Sequence, residues 1–202
     1  MEQGSGNITL IFLPGLTADH RLFEKQIEFF QGKYNVFVWD APGHGKSWPF
    51  KFDFSLMDKA KWLDDIFGLE NIQAPVIIGQ SMGGYVGQAY SELFPNKLKG
   101  FVSIDSAPLQ RKYVTGIELW LLKRMEPVYR YYPWKSLLNI GTKGVAVSAY
   151  GRKLMHDIMM AYDGDPKRYA QISGHGFRIL AEAMEADLLY KVQCPAQLIC
   201  GE

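Results

Sequence analysis

The segment Gly79-Gln80-Ser81-Met82-Gly83 constrains the fold more than any other part of the chain. An apolar run, 76–78, precedes it, and a stretch of helix-forming character, 82–94, follows it and ends before Pro95. This order predicts a strand, a sharp turn that carries a serine, and a helix. Glycine two residues before and two after Ser81 is expected where a Cβ would strike neighbouring backbone. We therefore predict that the turn holds the Ser81 hydroxyl above the sheet edge; the alternative is an ordinary glycine-rich turn.

Strands and helices alternate along the first half of the chain. Apolar strands are expected at 8–13, 35–39, 76–80 and 98–104, and helices at 21–30, 55–67 and 82–94. The segment 55–58, Ser-Leu-Met-Asp, has the pattern of a capping box. The alternation predicts an α/β fold, with a doubly wound and mostly parallel sheet.

The alternation stops after the fourth strand. From 107 to 186 the pattern predicts helices only, at 117–125, 150–162 and 178–189, before a fifth strand at 196–200. We therefore expect the core to comprise residues 1–106 and 187–202, with a helical cap, residues 107–186, inserted between the two parts.

Composition and charge exclude several classes of protein. The 22 Lys and Arg residues balance 21 Asp and Glu residues, so no basic field is present to attract nucleic acid. The first residues lack the pattern of a signal peptide, and no apolar run is long enough to span a bilayer. Cys194 and Cys200 lie in one extended segment, too far apart for a disulfide. We expect a cytoplasmic protein with two reduced core thiols and no membrane partner.

Several motifs, in order, resemble the α/β-hydrolase superfamily, and in particular its small bacterial serine hydrolases with a helical cap. They are the strand end Phe12-Leu13-Pro14-Gly15-Leu16, the loop Asp40-Ala41-Pro42-Gly43-His44-Gly45-Lys46-Ser47, the serine turn at 79–84, the strand 102–105 and the late stretch 194–202. Pro14 stands where the family usually has histidine. The resemblance covers nearly everything outside the cap.

The resemblance implies roles for three residues. Ser81 would be the nucleophile, and the backbone N–H groups of Leu16 and Met82 would form the oxyanion hole. It implies neither a metal nor a cofactor. The expected substrate is a small ester, thioester or similar acyl compound, and the oligomeric state is left open.

The family places its catalytic acid and histidine late in the chain, after the Gly-Glu that here is Gly201-Glu202. We therefore expect the sequence to be truncated at both ends, with the acid and the histidine beyond Glu202.

Within the chain, weak candidates for these roles remain. His175, between Gly174 and Gly176, is expected on a flexible turn of the cap that could reach inward. His20 could line the mouth of the pocket, His44 is expected to be structural, and His156 is expected on an exposed helix face. Asp105 occupies an alternative acid position, although capping of the local bend is the favoured role, and Glu202 is a further weak candidate.

The cap is rich in large apolar side chains, which either pack on the core or form a substrate pocket over Ser81. They are Leu119, Trp120, Leu121, Leu122, Met125, Tyr129, Tyr131, Tyr132 and Trp134.

Parts of the sequence also suggest three rival functions. Gly45-Lys46-Ser47 invites a nucleotide-binding interpretation, but the first glycine of a phosphate loop is missing and Trp48-Pro49 follows in place of a helix. A binding protein that kept the fold and lost catalysis is the stronger rival. A serine-dependent lyase or C–C hydrolase on the same scaffold cannot be separated from an esterase by sequence.

Overall fold

The computed structural model describes residues 8–73 and 75–201. Its centre is a sheet of five parallel strands in the order β2-β1-β3-β4-β5. The strands are β1 (Thr9–Leu13), β2 (Asn35–Val38), β3 (Val76–Gln80), β4 (Gly100–Ile104) and β5 (Ala196–Ile199). Each lies within a predicted strand, so the parallel α/β sheet expected from the sequence is confirmed.

Three helices connect the first four strands: α1 (Glu24–Phe30), α2 (Leu56–Leu69) and α3 (Met82–Leu93). A 3-10 turn, His20–Phe23, leads into α1. The predicted capping box begins α2: the Ser55 hydroxyl accepts the Asp58 N–H, and the Asp58 carboxylate accepts the Ser55 N–H. This box satisfies backbone donors that the first turn of a helix leaves free, and it fixes where α2 begins.

The two faces of β1 bury different sets of side chains, as expected for a strand inside a doubly wound sheet. Leu10 and Phe12 pack with Phe23 and Val36 on the side of α1. Ile11 and Leu13 belong to the larger cluster that α2 and α3 complete on the other face. Helices therefore cover both faces, and the carboxyl ends of the strands meet at one edge.

After β4 the described chain is helical until β5. A 3-10 turn, Arg111–Tyr113, precedes α4 (Gly116–Leu122), α5 (Met125–Tyr131), α6 (Trp134–Lys143), α7 (Ala149–Met159) and α8 (Pro166–Glu185), with a second 3-10 turn, Met160–Tyr162, after α7. The predicted helix at 117–125 ends earlier, at Leu122, and the one at 150–162 is α7 with its 3-10 extension.

The predicted helix at 178–189 is wrong in its bounds, because α8 begins twelve residues earlier, at Pro166, and ends at Glu185. Its start is well marked: Asp165 caps the helix by accepting the Arg168 N–H, and Pro166 occupies the first turn. Gly174 and Gly176 do not break it. A Cβ on Gly174 would lie 2.2 Å from the Glu126 Cβ, so glycine there allows α5 and α8 to pack closely.

The last strand, β5, is exposed along its whole length. The expectation of two core thiols is confirmed only in part: Cys194 is half-buried and packs against the main core, whereas Cys200 is exposed, because β5 lies at the edge of the described sheet. Both cysteines are free, as predicted.

Candidate active site

Ser81 occupies a strained turn between β3 and α3. Its φ of 48° and ψ of −113° lie outside the regions that residues with a side chain usually adopt. The flanking glycines allow this turn to pass close to other backbone. A Cβ on Gly79 would lie 2.4 Å from the Gly83 carbonyl carbon, and a Cβ on Gly83 would lie 1.9 Å from the Leu13 oxygen. The predicted reason for both glycines is confirmed.

Hydrogen bonds hold this strained turn from the side of β4. The Ser81 N–H donates to the Ile104 carbonyl oxygen at 2.8 Å, and the Ser106 hydroxyl donates to the Ser81 carbonyl oxygen at 2.8 Å. Gly84 leaves room for Ser106, since a Cβ there would lie 2.1 Å from the Ser106 Oγ. A strained conformation persists only where its surroundings fix it, and here both backbone polar groups of Ser81 are fixed.

The loop after β1 passes directly over the serine turn. Leu13 pairs with Gly79 across the sheet, and a Cβ on Gly15 would lie 3.3 Å from the Ser81 Cβ. This brings Leu16 and Met82, the two predicted oxyanion-hole residues, to the same strand edge. Within residues 8–73 and 75–201, neither backbone N–H donates to a protein acceptor. Leu16 is partly exposed at this edge, whereas Met82 is buried.

Contacts from the cap fix this loop. Thr17 has a left-handed φ of 64°, and its carbonyl oxygen accepts a hydrogen bond from the Tyr162 hydroxyl at 3.0 Å. Gly176 in α8 lies against Leu16: a Cβ there would be 2.4 Å from the Leu16 Cδ1. The cap therefore positions the backbone that carries one of the two candidate donors.

A cavity of about 330 Å³ opens at Ser81. Its core side is formed by Leu16, Thr17, Ala18, Leu22, Gln80 and Ser81. Its cap side comes mainly from Gly141, Ala146, Gly151, Leu154, Met155 and Met159. Tyr169 of α8 also contributes to the wall. The size is at the lower end of small-molecule sites, about 300–1,000 Å³.

His175, the candidate base on a supposed flexible turn, is instead fixed inside α8 and buried. Its ring lies between Phe52 and Phe54, at centroid distances of 5.2 and 4.3 Å. The Arg178 Nη2 is 2.8 Å from the His175 Nδ1, and since a guanidinium can only donate, Nδ1 must be the acceptor. Burial and the adjacent Arg178 charge lower the His175 pKa to about 4. The predicted reach toward Ser81 is wrong.

The other three histidines also lie away from the cavity. His20 is bound through Nδ1 to the Asp40 carboxylate at 2.9 Å and does not line the pocket, contrary to expectation. His44 is buried, as expected for a structural residue, with Nδ1 3.1 Å from the Pro42 oxygen. Burial, with a smaller effect from the Lys59 charge, lowers the His44 pKa to about 3. His156 is exposed on α7, as predicted.

Asp105 joins the ends of β4 and β5. Its φ is left-handed, 51°, its Oδ1 accepts the Gly201 N–H at 2.9 Å, and its own N–H donates to the Ile199 oxygen at 2.8 Å. These are the contacts of a residue that fixes a bend, the favoured role in the sequence. Glu202, the other candidate acid, lies outside the described residues.

Asp19, His20 and Asp40 bring three possible metal-ligand atoms within 4.8 Å of one another. Protein donors already occupy their oxygens. Arg21 binds both Asp19 oxygens, at 2.9 and 2.6 Å, and Asp40 accepts the N–H groups of His20 and Lys46, each at 2.8 Å. Burial acts to raise the Asp40 pKa, but these hydrogen bonds outweigh it and lower that pKa. The group is an internally hydrogen-bonded network rather than an open cation site.

The profile of the α/β hydrolase fold family matches residues 8–128, more than half of the chain. The chain belongs to the α/β hydrolase fold family. The matched residues contain both the loop after β1 and the Ser81 turn, so the two halves of the candidate site lie inside the family's common core.

Known proteins similar to this hydrolase-fold chain include enzymes of ester and lactone hydrolysis. It is 26% identical over 122 residues to a pimeloyl-[acyl-carrier protein] methyl ester esterase of Wigglesworthia glossinidia brevipalpis, covering 59% of this chain and 45% of the relative. It is 31% identical over 102 residues to 3-oxoadipate enol-lactonase 2 of Acinetobacter baylyi, covering 48% and 37%. The matches thus span less than half the length of each of these relatives.

The fold itself is also seen in solved structures. MenH from S. aureus superposes with a TM-score of 0.71 at 17% identity, covering 98% of this chain and 87% of that one. A probable hydrolytic enzyme from Pseudomonas aeruginosa superposes with a TM-score of 0.74 at 17% identity, covering 100% and 66%. No helix in the described part of this chain is long and apolar enough to cross a membrane.

The pocket-forming residues of the cap differ from those considered in the sequence. None of the apolar residues between 119 and 134 lines the Ser81 cavity. Leu119 packs in the main core, and Tyr129 and Trp134 pack around Tyr169, whereas Trp120, Leu121, Tyr131 and Tyr132 are exposed. The prediction that these side chains pack on the rest of the protein is therefore confirmed for part of the set. The prediction that they form a pocket over Ser81 is wrong for all of them. The lining residues of α6 and α7 were missed.

The phosphate-loop interpretation fails on local structure. Gly45–Ser47 forms a 3-10 turn of three residues and does not open an α-helix, so it lacks the helix N-terminus that such a loop places against phosphate.

Proposed function

We propose that this chain carries the nucleophile and the oxyanion hole of a serine hydrolase that acts by acyl transfer on a small ester or thioester. One observation carries the proposal: Ser81 is held in a strained, doubly anchored turn that faces a cavity, beside two unengaged backbone N–H groups. Relatives named as a methyl ester esterase and an enol-lactonase support this class of substrate.

In the proposed reaction the Ser81 Oγ attacks the substrate carbonyl carbon, and the carbonyl oxygen becomes an oxyanion. The N–H groups of Leu16 and Met82 donate to that oxygen, where each such donor is typically worth about 3 kcal/mol of transition-state stabilisation. The tetrahedral intermediate then collapses with loss of the protonated alcohol or thiol. Water attacks the resulting acyl-Ser81 ester, releases the acid and restores the hydroxyl.

The serine needs a base, and the four histidines do not supply one in the arrangement described above. We therefore expect turnover by this chain to be slow, because loss of the base from such a site costs orders of magnitude in rate. The same observation favours the second candidate function, a hydrolase-like binding protein that uses the cavity without chemistry.

Hydrolysis of p-nitrophenyl butyrate and of a butyryl thioester separates the two functions. The acyl-transfer proposal expects slow hydrolysis that Ser81→Ala abolishes, with an unchanged circular dichroism spectrum and melting temperature. Ser136→Ala, a change on α6 away from the cavity, serves as the matched control and should retain the rate. Full activity in Ser81→Ala would refute the proposal, and inactivity of the unmodified chain combined with saturable ligand binding would favour the binding protein.

A further inference from the structure

The cavity at Ser81 differs in chemistry from its surroundings. Within residues 8–73 and 75–201, no Asp, Glu, Lys or Arg side chain lines it. Its polar groups are the hydroxyls of Thr17, Ser81 and Tyr169 and the Gln80 amide. A carboxylate or ammonium placed among these residues would lose water without gaining an opposite charge, so charged groups are disfavoured there.

The wall contributed by the cap combines small residues with flexible ones. Space in the cavity is left by the small residues Gly141, Ala146 and Gly151. The edges of the cavity are formed by the larger side chains of Leu154, Met155 and Met159. Gly141 also allows close packing of α6 on α7, since a Cβ there would lie 2.1 Å from the Met159 Sδ. Methionine side chains are unbranched and adapt to ligands of different shape.

The volume of the cavity, about 330 Å³, is large enough to hold an alkyl chain. Met159 is almost fully buried, at 1% exposure, so packing holds this side chain on the cap side of the cavity.

From these observations we infer that the cavity binds the uncharged acyl chain of the substrate and that Leu154 with Met155 and Met159 sets the chain length that it accepts. The inference rests on the proposed function for its orientation toward Ser81. It goes further by naming the ligand chemistry and the residues that select it.

Binding to the Ser81→Ala variant of the full chain tests this without requiring chemistry. Octanamide and its ω-carboxylate analogue, the monoamide of octanedioic acid, would be titrated at neutral pH by calorimetry. We expect saturable binding of octanamide and affinity at least about tenfold weaker for the carboxylate, because the cavity offers it no cation. Equal or tighter binding of the carboxylate, or no binding of octanamide, would overturn the inference.

Chain length and the selecting residues are tested in the same assay with butanamide, octanamide and hexadecanamide. Leu154→Trp should shift the preference toward butanamide, and Leu154→Ala should shift it toward longer chains. Leu138→Ala is the matched control, since Leu138 is a partly buried cap leucine that packs beside the cavity without lining it. If Leu154→Trp does not fold, Leu154→Ala alone decides. An unchanged length preference in the folded Leu154 variants, or an equal shift in the control, would contradict the assignment.

These outcomes are separable from those of the proposed function. Selective binding of octanamide by a chain that never acylates Ser81 would leave this inference standing and reject acyl transfer. Acylation of Ser81 without selection against the ω-carboxylate would support acyl transfer and reject this inference.

Discussion

The Ser81 turn and the outer face of the cap obey different physical constraints. At the turn, the close contacts of Gly79 and Gly83 are made with backbone atoms, which cannot move without disturbing the sheet. On the outer cap face, the side chains of Trp120 and Tyr131 are 54% and 82% exposed, so few neighbouring atoms restrict them. The core thus fixes the position of the nucleophile, while the outer face of the cap can vary in sequence with little effect on packing.

Tight glycine contacts also differ between the Ser81 turn and the buried side of the cap. Gly176 of the cap faces the end of the flexible Leu16 side chain, whereas Gly83 faces the Leu13 backbone oxygen. A side chain can turn aside at little cost, and a strand backbone cannot. The fold therefore requires glycine at position 83, whereas position 176 can accept a small side chain at a lower cost in stability.

The largest expected effect comes from Gly83→Ala. The new Cβ would lie 1.9 Å from the Leu13 oxygen, so we expect a loss of more than about 4 kcal/mol or failure to fold. Gly176→Ala should cost less, about 1–2 kcal/mol, because Leu16 can move. Urea unfolding measures both.

Gly68→Ala is the control for these changes. A Cβ at Gly68 in α2 meets nothing within 4 Å, so alanine there should be neutral or should stabilise by up to about 1 kcal/mol. Equal losses of stability in Gly83→Ala and Gly176→Ala would contradict the distinction between backbone and side-chain contacts.

The second comparison removes one leucine from each region. Leu63 of α2 is fully buried, and Leu63→Ala should cost about 2–5 kcal/mol through lost burial and the resulting cavity. Leu121 of α4 is 50% exposed, and Leu121→Ala should change stability by less than about 0.5 kcal/mol. A large loss at Leu121 in urea unfolding would show that the outer cap face is covered in solution.

Acid should loosen the contact between the cap and the core. The pKa values of His44 and His175, about 3 and 4, lie below the usual value of 6.5. Because their folded-state pKa values are lowered, the unfolded chain binds protons first as pH falls below 6.5, and folding stability decreases toward pH 4. Between pH 7 and pH 5 each imidazole should account for a loss of up to about 2 kcal/mol.

Urea unfolding at the two pH values checks this effect. His175→Gln should reduce the pH dependence, whereas His156→Gln should leave it unchanged, since His156 is exposed. A pH dependence that is the same in both variants would show that His175 does not stay neutral in the folded protein.

Small losses are expected at two capping boxes, one in each region. Ser55 begins α2 against the core, and Thr115 begins the more exposed α4 in the cap. Ser55→Ala should cost about 1 kcal/mol, and Thr115→Ala should cost about 0.5 kcal/mol, because local fraying of α4 disturbs less buried structure. Thermal unfolding would reveal the difference, and a larger loss at Thr115 would reverse the proposed order.

The core could be predicted because its signals are local. Short apolar runs and glycine turns specify β1 to β4, and the spacing of two glycines around Ser81 specifies the strained turn. The same local method failed for α8: Gly174 and Gly176 resemble a turn in sequence, and only the packing of Glu126 and Leu16 against them explains a continuous helix.

The cavity could not be predicted for a related reason. Its cap wall comes from residues between 141 and 159, whose amphipathic pattern is the same whether a helix faces the core or a cavity. The large aromatic residues nearer 120–134 were the more conspicuous candidates, yet part of this set packs and the rest is exposed. Which helix face lies toward Ser81 depends on how whole helices are placed in the fold, and a short sequence pattern does not determine that placement.

The central claim is that the strained turn presents Ser81 as a nucleophile. The most direct test is prolonged reaction of the chain with an alkyl fluorophosphonate, followed by peptide mass spectrometry. We predict one phosphonyl adduct, on Ser81, formed slowly and absent from Ser81→Ala. An adduct confined to another residue, or none at high probe concentration, would contradict it.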